Sequence, residues 1–223
     1  MAKQSVWSQV SIWPLVTASV SAAALTALLL YGMQSARTLQ ATSTALQRAS
    51  ELSGEPQVLH SQLALLQRGL ENRTYVGDSL RSLAADRDGG NTTLAALGSA
   101  IATAGLTHDA QLAQKLSAVR ARWDALDQAL QHIGGFSPED LYIDSAAGSG
   151  YSAEGTQLKR AVDSLLREQT QSARQLTQEL TEVSTVLRQS VTTDGDRLRE
   201  DMIGGTALIN TALETRPGWA RAT

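Results

Sequence analysis

The sequence contains no cysteine and only one phenylalanine, and aromatic residues make up 4% of the chain. Without thiols it cannot form a disulfide framework, a thiolate zinc site or a thiol nucleophile. The shortage of aromatic residues disfavours a β-sandwich, whose short strands bury Val, Ile, Tyr and Phe. The net charge is −3 and no Lys/Arg cluster is present. Because phosphate backbones are bound by concentrated positive charge, we expect no nucleic-acid partner.

The apolar content comes mainly from Ala and Leu, which are accompanied by many Gln, Ser and Thr residues. Between packed helices, Ala allows close approach of the backbones and Leu fills the interface. This composition predicts an all-α protein.

A long uncharged segment lies near the N-terminus, and no residue from Gln4 to Ala36 carries a charge. Its most apolar part, residues 13–33, is 21 residues long, and about 20 residues of helix cross a bilayer. The residues expected to anchor it are Trp13, Leu28, Leu29, Leu30 and Tyr31. A cleaved signal peptide is the alternative, but its apolar core would be unusually long and no small-residue cleavage pattern follows. We therefore predict one uncleaved transmembrane helix.

The segment divides the chain into a short cytoplasmic tail (1–12), the membrane helix (13–33), a periplasmic bundle (34–200) and a C-terminal region (201–223). The positive charges on the two sides of the segment are nearly equal in number. We expect the N-terminus to be inside, because a short tail is easily retained. The predicted location is a bacterial inner membrane, with the bundle in the periplasm. Residues 201–223 form either a tail or a truncated second membrane segment.

The clearest helical signal is a heptad stripe whose apolar residues alternate in steps of four and three. Its members are Leu112, Leu116, Val119, Trp123, Leu126, Leu130 and Ile133. Asp109 is expected to cap the start of this helix, and Gly134-Gly135 to end it. A stripe this narrow needs a neighbouring helix to cover it. An elongated antiparallel bundle is the simplest fold, and a coiled-coil dimer remains an alternative.

Glycine and proline predict where the helices of the bundle are interrupted. Gly54 and Pro56 are expected to end a first helix, and residues 86–91, rich in Asp and Gly, to form a turn. Residues 134–155 are interpreted as a linker, and Gly195 is expected to weaken the last helix.

No residue constellation indicates catalysis, so we predict that the protein is not an enzyme and binds no metal or cofactor. His60, His108 and His132 lie far apart in the sequence, and none has a partner four residues away for sharing a metal. The candidate binding residues are four arginines that could line an anion site if their helices are neighbours: Arg68, Arg73, Arg120 and Arg122. Solvation of a charged helix surface is the simpler interpretation of these arginines.

Two stretches resemble the sensory domain of type IV pilus methyl-accepting chemotaxis receptors (the PilJ type). In residues 53–64 four positions are in register with the family motif: Gly54, Leu59, Leu63 and Ala64. Gln57 and Gln62 are each displaced by one position. Both arginines of the motif are absent, and Pro56 interrupts it. Residues 112–133, with Trp123 at the centre, resemble a later helix of that domain. The resemblance covers about half of the chain.

The resemblance implies a sensory role, in which a periplasmic bundle detects attachment or pilin and passes a small helix displacement through the membrane. The family's complete second membrane helix, its HAMP-like linker and its methylated hairpin have no counterpart in these 223 residues. This favours an alternative, an inner-membrane structural component of a pilus, secretion or envelope assembly. The expected partners are the membrane, signalling or pilus subunits, and a second copy in a homo-oligomer.

Overall fold

The computed structural model describes residues 13–145 and 148–214, which are almost entirely helical. The helices are α1 (Trp13–Glu71), α2 (Gly77–Thr103), α3 (Ala110–Gly134) and α4 (Ala153–Glu214). Single 3₁₀ turns occur at Leu106–His108 and Pro138–Asp140, and a hairpin is formed by β1 (Tyr142–Ser145) and β2 (Gly148–Tyr151). The predicted all-α class is confirmed.

The chain forms two compact units. The central unit is Gln40–Thr192, and the terminal unit combines Met1–Leu39 with Thr193–Thr223. Helices α1 and α4 belong to both units, whereas α2, α3 and the hairpin belong to the central unit alone.

The central unit is an antiparallel bundle in which each helix packs beside the next in sequence and α4 returns beside α1. Side-chain hydrogen bonds that join neighbouring helices are Asn91–Asp127 between α2 and α3, Lys115–Glu182 between α3 and α4, and Gln67–Asp163 between α4 and α1. The predicted antiparallel bundle is therefore present.

The core of the central unit is built from leucines supplied by all its helices. Fully buried examples on α1 are Leu52, Leu59, Leu63, Leu66 and Leu70, and on α4 they are Leu158, Leu180 and Leu187. The predicted stripe on α3 is also buried, apart from the partly covered Leu126. Asp109 caps α3 as expected, since its Oδ1 accepts from the backbone N–H groups of Gln111 and Leu112 at 2.9 and 3.0 Å.

The interruption predicted at Gly54 and Pro56 is wrong, because α1 continues through both residues to Glu71. An interior proline costs a helix about 3 kcal/mol. The flanking Leu52 and Leu59 are both fully buried. Burial of a leucine contributes about 1.5–3 kcal/mol. Packing on both sides of the proline therefore outweighs its local cost.

The turn predicted at residues 86–91 is also wrong, because α2 continues through them. Gly90 is buried, and a Cβ at this position would overlap the indole ring of Trp123 on α3. The glycine is therefore explained by close contact between helices and not by a turn. Gly195, which is predicted to weaken the last helix, lies within α4.

The predicted linker at residues 134–155 contains the hairpin. Tyr142 and Tyr151 are paired across its strands, with ring centroids 5.8 Å apart. Their hydroxyl groups donate to backbone carbonyls at the end of α1, Tyr142 to Thr74 at 3.0 Å and Tyr151 to Leu70. These two tyrosines attach the hairpin to the end of the bundle.

The predicted membrane helix, residues 13–33, lies within α1. The side chains of residues 13–25 and of Leu28, including the predicted anchor Trp13, lie outside the described residues. Where side chains are described, no helix is long and apolar enough to cross a bilayer. The remaining predicted anchors, Leu29, Leu30 and Tyr31, are exposed.

A polar cleft between the first and last helices

The packing between α1 and α4 changes along the central unit. Near the hairpin, α1 buries large side chains such as Leu63 and Leu70, but near residue 40 it buries Ala41, Ala45 and Ala49. Because alanine fills much less space than leucine, this end of α1 packs through smaller side chains. A cleft of about 580 Å³ occupies that end, lined by Ser43, Leu46, Gln47, Ser50, Glu51, Ser53, Thr181, Ser184 and Arg188.

Several polar groups of the cleft are not used within the protein. The side chains of Ser43, Ser50 and Ser184 make no hydrogen bond to any residue that the structure describes. Within the same part of the chain, the Arg188 guanidinium has neither an ion pair nor a hydrogen bond. Ser43, Ser50 and Arg188 are exposed and Ser184 is half-buried, so the cleft is open to solvent. It offers three hydroxyl groups and one positive charge that no described side chain pairs.

The acidic residue of the cleft is already paired. Glu51 accepts from Gln47 at 2.8 Å and from Arg48 at 2.6 Å. The hydrogen bonds from Gln47 and Arg48, in that order, lower the pKa of the Glu51 carboxyl. Since Glu51 is satisfied by its own helix, the positive charge of Arg188 remains available to an anion. Guanidinium and hydroxyl donors together suit a small carboxylate or a similar oxyanion.

A smaller cavity of about 390 Å³ follows the cleft along the same two helices. It is lined by Pro56, Gln57, His60, Ala173, Arg174 and Thr177. Pro56 lies at the change from the alanine end of α1 to its leucine end. The sequence predicts only that Pro56 ends a helix, whereas in the structure Pro56 lines this cavity.

The four predicted arginines do not form one site. Arg122 donates to Glu179 at 2.6 Å and to Gln175 at 2.8 Å, both on α4, whereas the Arg120 guanidinium lies over Gly98 of α2. These two side chains therefore extend from α3 toward different neighbouring helices.

The other two arginines lie where α1 ends. Arg68 is exposed in the last turn of α1, where a positive charge favours the helix dipole. Arg73 follows the helix at a φ of 53° and lies 5.7 Å from the ring centroid of Tyr151. Lys159 approaches the same ring at 5.7 Å, so the tyrosine has two cations beside it.

A polar network lies beside Trp123, between α2 and α3. The Trp123 indole N–H donates to Asn91, whose amide donates to Asp127 at 2.9 Å. Asp127 also accepts from Gln131 at 2.8 Å. Asn91 begins a sequence that matches a glycan acceptor, but its amide is already used within the bundle. The network fixes the register between α2 and α3.

The acidic and histidine residues give no metal site where the structure can be described. Among those residues, no group of three or more His, Asp or Glu side chains is arranged to hold a metal ion. His108 lies in the turn after α2, His132 packs edge-on against Phe136, and His60 lines the smaller cavity.

Comparisons with protein-family models, with curated proteins and with solved structures give no match to this chain.

Proposed function

We propose that the protein is a membrane-anchored sensory bundle, which binds a small anionic ligand in the periplasm. The observation that carries this proposal is the cleft between α1 and α4, with its free hydroxyl groups and the unpaired Arg188. In the proposed arrangement, residues 13–33 anchor the chain in a bacterial inner membrane with the N-terminus inside. The resemblance of residues 53–64 and 112–133 to PilJ-type sensory domains supports the same role.

The position of the cleft suits a sensor because of the helices that line it. Both α1 and α4 supply its walls, and both also form the terminal unit. A ligand that draws Arg188 toward the serines of α1 would shift α4 against α1. Such a shift is the small helix displacement that the resemblance implies. Binding shifts a conformational equilibrium only when the ligand contacts differ between the two states, and contacts from both helices meet that condition.

The proposal is tested by thermal unfolding of the full chain in mild detergent, with succinate, L-aspartate and pyruvate as probes. A carboxylate at about 100 times its Kd should stabilise the protein by about 2.7 kcal/mol. We expect at least one probe to raise the Tm of the wild-type chain and Arg188→Gln to abolish that rise. Arg167→Gln, an exposed arginine of α4 outside both cavities, is the matched control and should keep it.

Two results would contradict this function. One is a wild-type Tm that no probe changes. The other is a rise of equal size in Arg188→Gln, since a nonspecific effect of the anion does not depend on the cleft.

A second candidate function is a structural component of an envelope assembly, and exposed apolar residues on α1 favour it. Val58 and Leu65 are seven residues apart, on one face of the helix, and are 42% and 53% exposed. A partner helix, including that of a second copy, would cover this pair. Light scattering would support this candidate if the full chain is a dimer and Val58→Gln with Leu65→Gln gives a helical monomer.

A further inference from the structure

In the terminal unit, large apolar side chains point outward. On α1, Leu29 is 67% exposed and Leu30 is 63% exposed. On α4, Ile203 is 61% exposed and Leu208 is 72% exposed. Full burial of one such side chain is worth about 1.5–3 kcal/mol, so this arrangement is unfavourable in water.

A glycine is the buried residue in the same unit. Gly205 is the one buried residue among those of the terminal unit whose burial is described, and Gly32, Ser35, Leu39 and Leu198 are half-buried. A Cβ placed on Gly32 would meet no atom within 4 Å. Glycine at a helix contact allows two backbones to approach closely. A buried glycine together with large apolar residues that face outward is typical of helices surrounded by lipid.

The charges of α4 end opposite Tyr31 of α1, and α1 itself carries no charge until Arg37, six residues further along. The hydroxyl of Tyr31 on α1 donates to Oδ2 of Asp201 on α4 at 2.9 Å. From Met202 to Leu213 the sequence of α4 carries no charge, just as α1 carries none from Gln4 to Ala36. The two helices are antiparallel there, so both uncharged segments extend from this pair in the same direction.

We infer that α4 enters the same bilayer as α1, with Ile203 and Leu208 in contact with lipid acyl chains. Leu29 and Leu30 contact the same lipids, Gly205 lies at the contact between the helices, and Tyr31 with Asp201 marks the boundary with water. This inference rests on the proposed membrane anchor, and it adds lipid as a partner of α4. The alternatives for the exposed face of α4, which are water and a second copy of the chain, are outcomes of the test.

The absence of cysteine makes the test direct, because single cysteines can be introduced into the unaltered chain. Ile203→Cys and Leu208→Cys are labelled with bimane in the full chain, in vesicles of phosphatidylethanolamine and phosphatidylglycerol. Leu29→Cys reports on the anchor of α1. Val58→Cys and Leu65→Cys are matched controls, since they replace exposed apolar residues of the central unit. Quenching is measured with lipids brominated in the acyl chain and, separately, with iodide in the buffer.

We expect brominated lipid to remove most of the fluorescence at positions 203, 208 and 29, and iodide to quench positions 58 and 65. If iodide quenches 203 and 208 while brominated lipid quenches 29, the inference is overturned and the anchor stands. If iodide quenches all three positions, the proposed anchor fails as well. Protection of 203 and 208 from both quenchers would mean that protein covers this face, which also overturns the inference.

Discussion

Helices α1 and α4 bury opposite kinds of side chain in the two units that they share. In the central unit, Leu63 on α1 and Leu180 on α4 are fully buried. In the terminal unit, Leu29 and Leu208 are more than 60% exposed, and Gly205 is buried instead. The difference shows that a leucine does not by itself determine which face of a helix is inside. If the terminal unit lies in a bilayer, as proposed, its surroundings explain the difference, since large apolar side chains leave water for a core but need not leave lipid.

The largest expected difference in the free energy of unfolding is between replacing an inward-facing and an outward-facing apolar residue. Leu63→Ala removes a fully buried side chain of the central unit, and such substitutions lower the free energy of unfolding by about 2–5 kcal/mol. Ile203→Ala, at an outward position of the terminal unit, should change it by about 0.5 kcal/mol or less. Urea unfolding of the full chain in micelles, followed by circular dichroism, measures both. Similar losses in the two variants would contradict the comparison.

A smaller difference in the free energy of unfolding is expected between replacing a glycine that contacts another helix and replacing one that does not. In Gly90→Ala the new methyl group would overlap Trp123, and overpacking of this kind costs about 1–3 kcal/mol. The neighbouring Gly89 and the terminal-unit Gly204 have no atom within 4 Å of a Cβ placed on them. Alanine at either position should raise helix stability by about 0.5–1 kcal/mol. A stabilised Gly90→Ala, measured in the same way, would show that the close contact with Trp123 is absent.

The smallest effect concerns a carboxyl group between helices of the central unit. Burial, and then the nearby Asp86 of α2, raise the pKa of Glu55. The Oδ2 atom of Asp86 is itself buried without a hydrogen-bond partner among the described residues. Because the folded state holds the proton of Glu55 more tightly than the unfolded state, this contribution to stability is present at low pH. It is lost as the pH rises above the ordinary carboxyl pKa through the raised value.

Glu55→Gln should therefore raise the Tm at neutral pH and change it less at acidic pH. Glu139→Gln, an exposed carboxyl after α3, is the control and should shift the Tm little at either pH. Tm values of the three proteins across that pH range test the sign. An increase in Tm confined to acidic pH would mean that Glu55 is stabilised as a carboxylate.

The sequence predicted α3 well, because its start, stripe and end all depend on neighbours within a few residues. Asp109 caps it, the apolar residues are buried at helical spacing, and it ends at Gly134. The predictions that failed concern Pro56 and Gly90. Their local preferences are for breaks and turns, but residues distant in sequence supply the packing that overrides those preferences.

The candidate site was harder to predict than the fold. Arginines were selected by charge alone, and the structure uses Arg122 for contacts with Glu179 and Gln175. Arg188, which sequence reasoning missed, lines the cleft and has no partner in the described part of the chain, although several other arginines on helix surfaces have none either. Whether an arginine forms an ion pair depends on which helices become neighbours, so the charges in the sequence could not show which arginine lines the cleft. The repeated occurrence of serine along α1 and α4 was the one feature of the sequence that could have indicated this cleft.

The order of apolar and polar residues along this chain by itself determined that it is helical and that its helices must be covered on one face. Helical periodicity is a local property, set by backbone geometry that repeats every 3.6 residues. Only the tertiary structure decided that Pro56 lies within a helix, that Gly90 contacts an indole ring and that Arg188 faces a cleft whose carboxylate, Glu51, is already paired. Each of these depends on the side chain that a different helix places opposite, and that neighbour is fixed only when the helices pack.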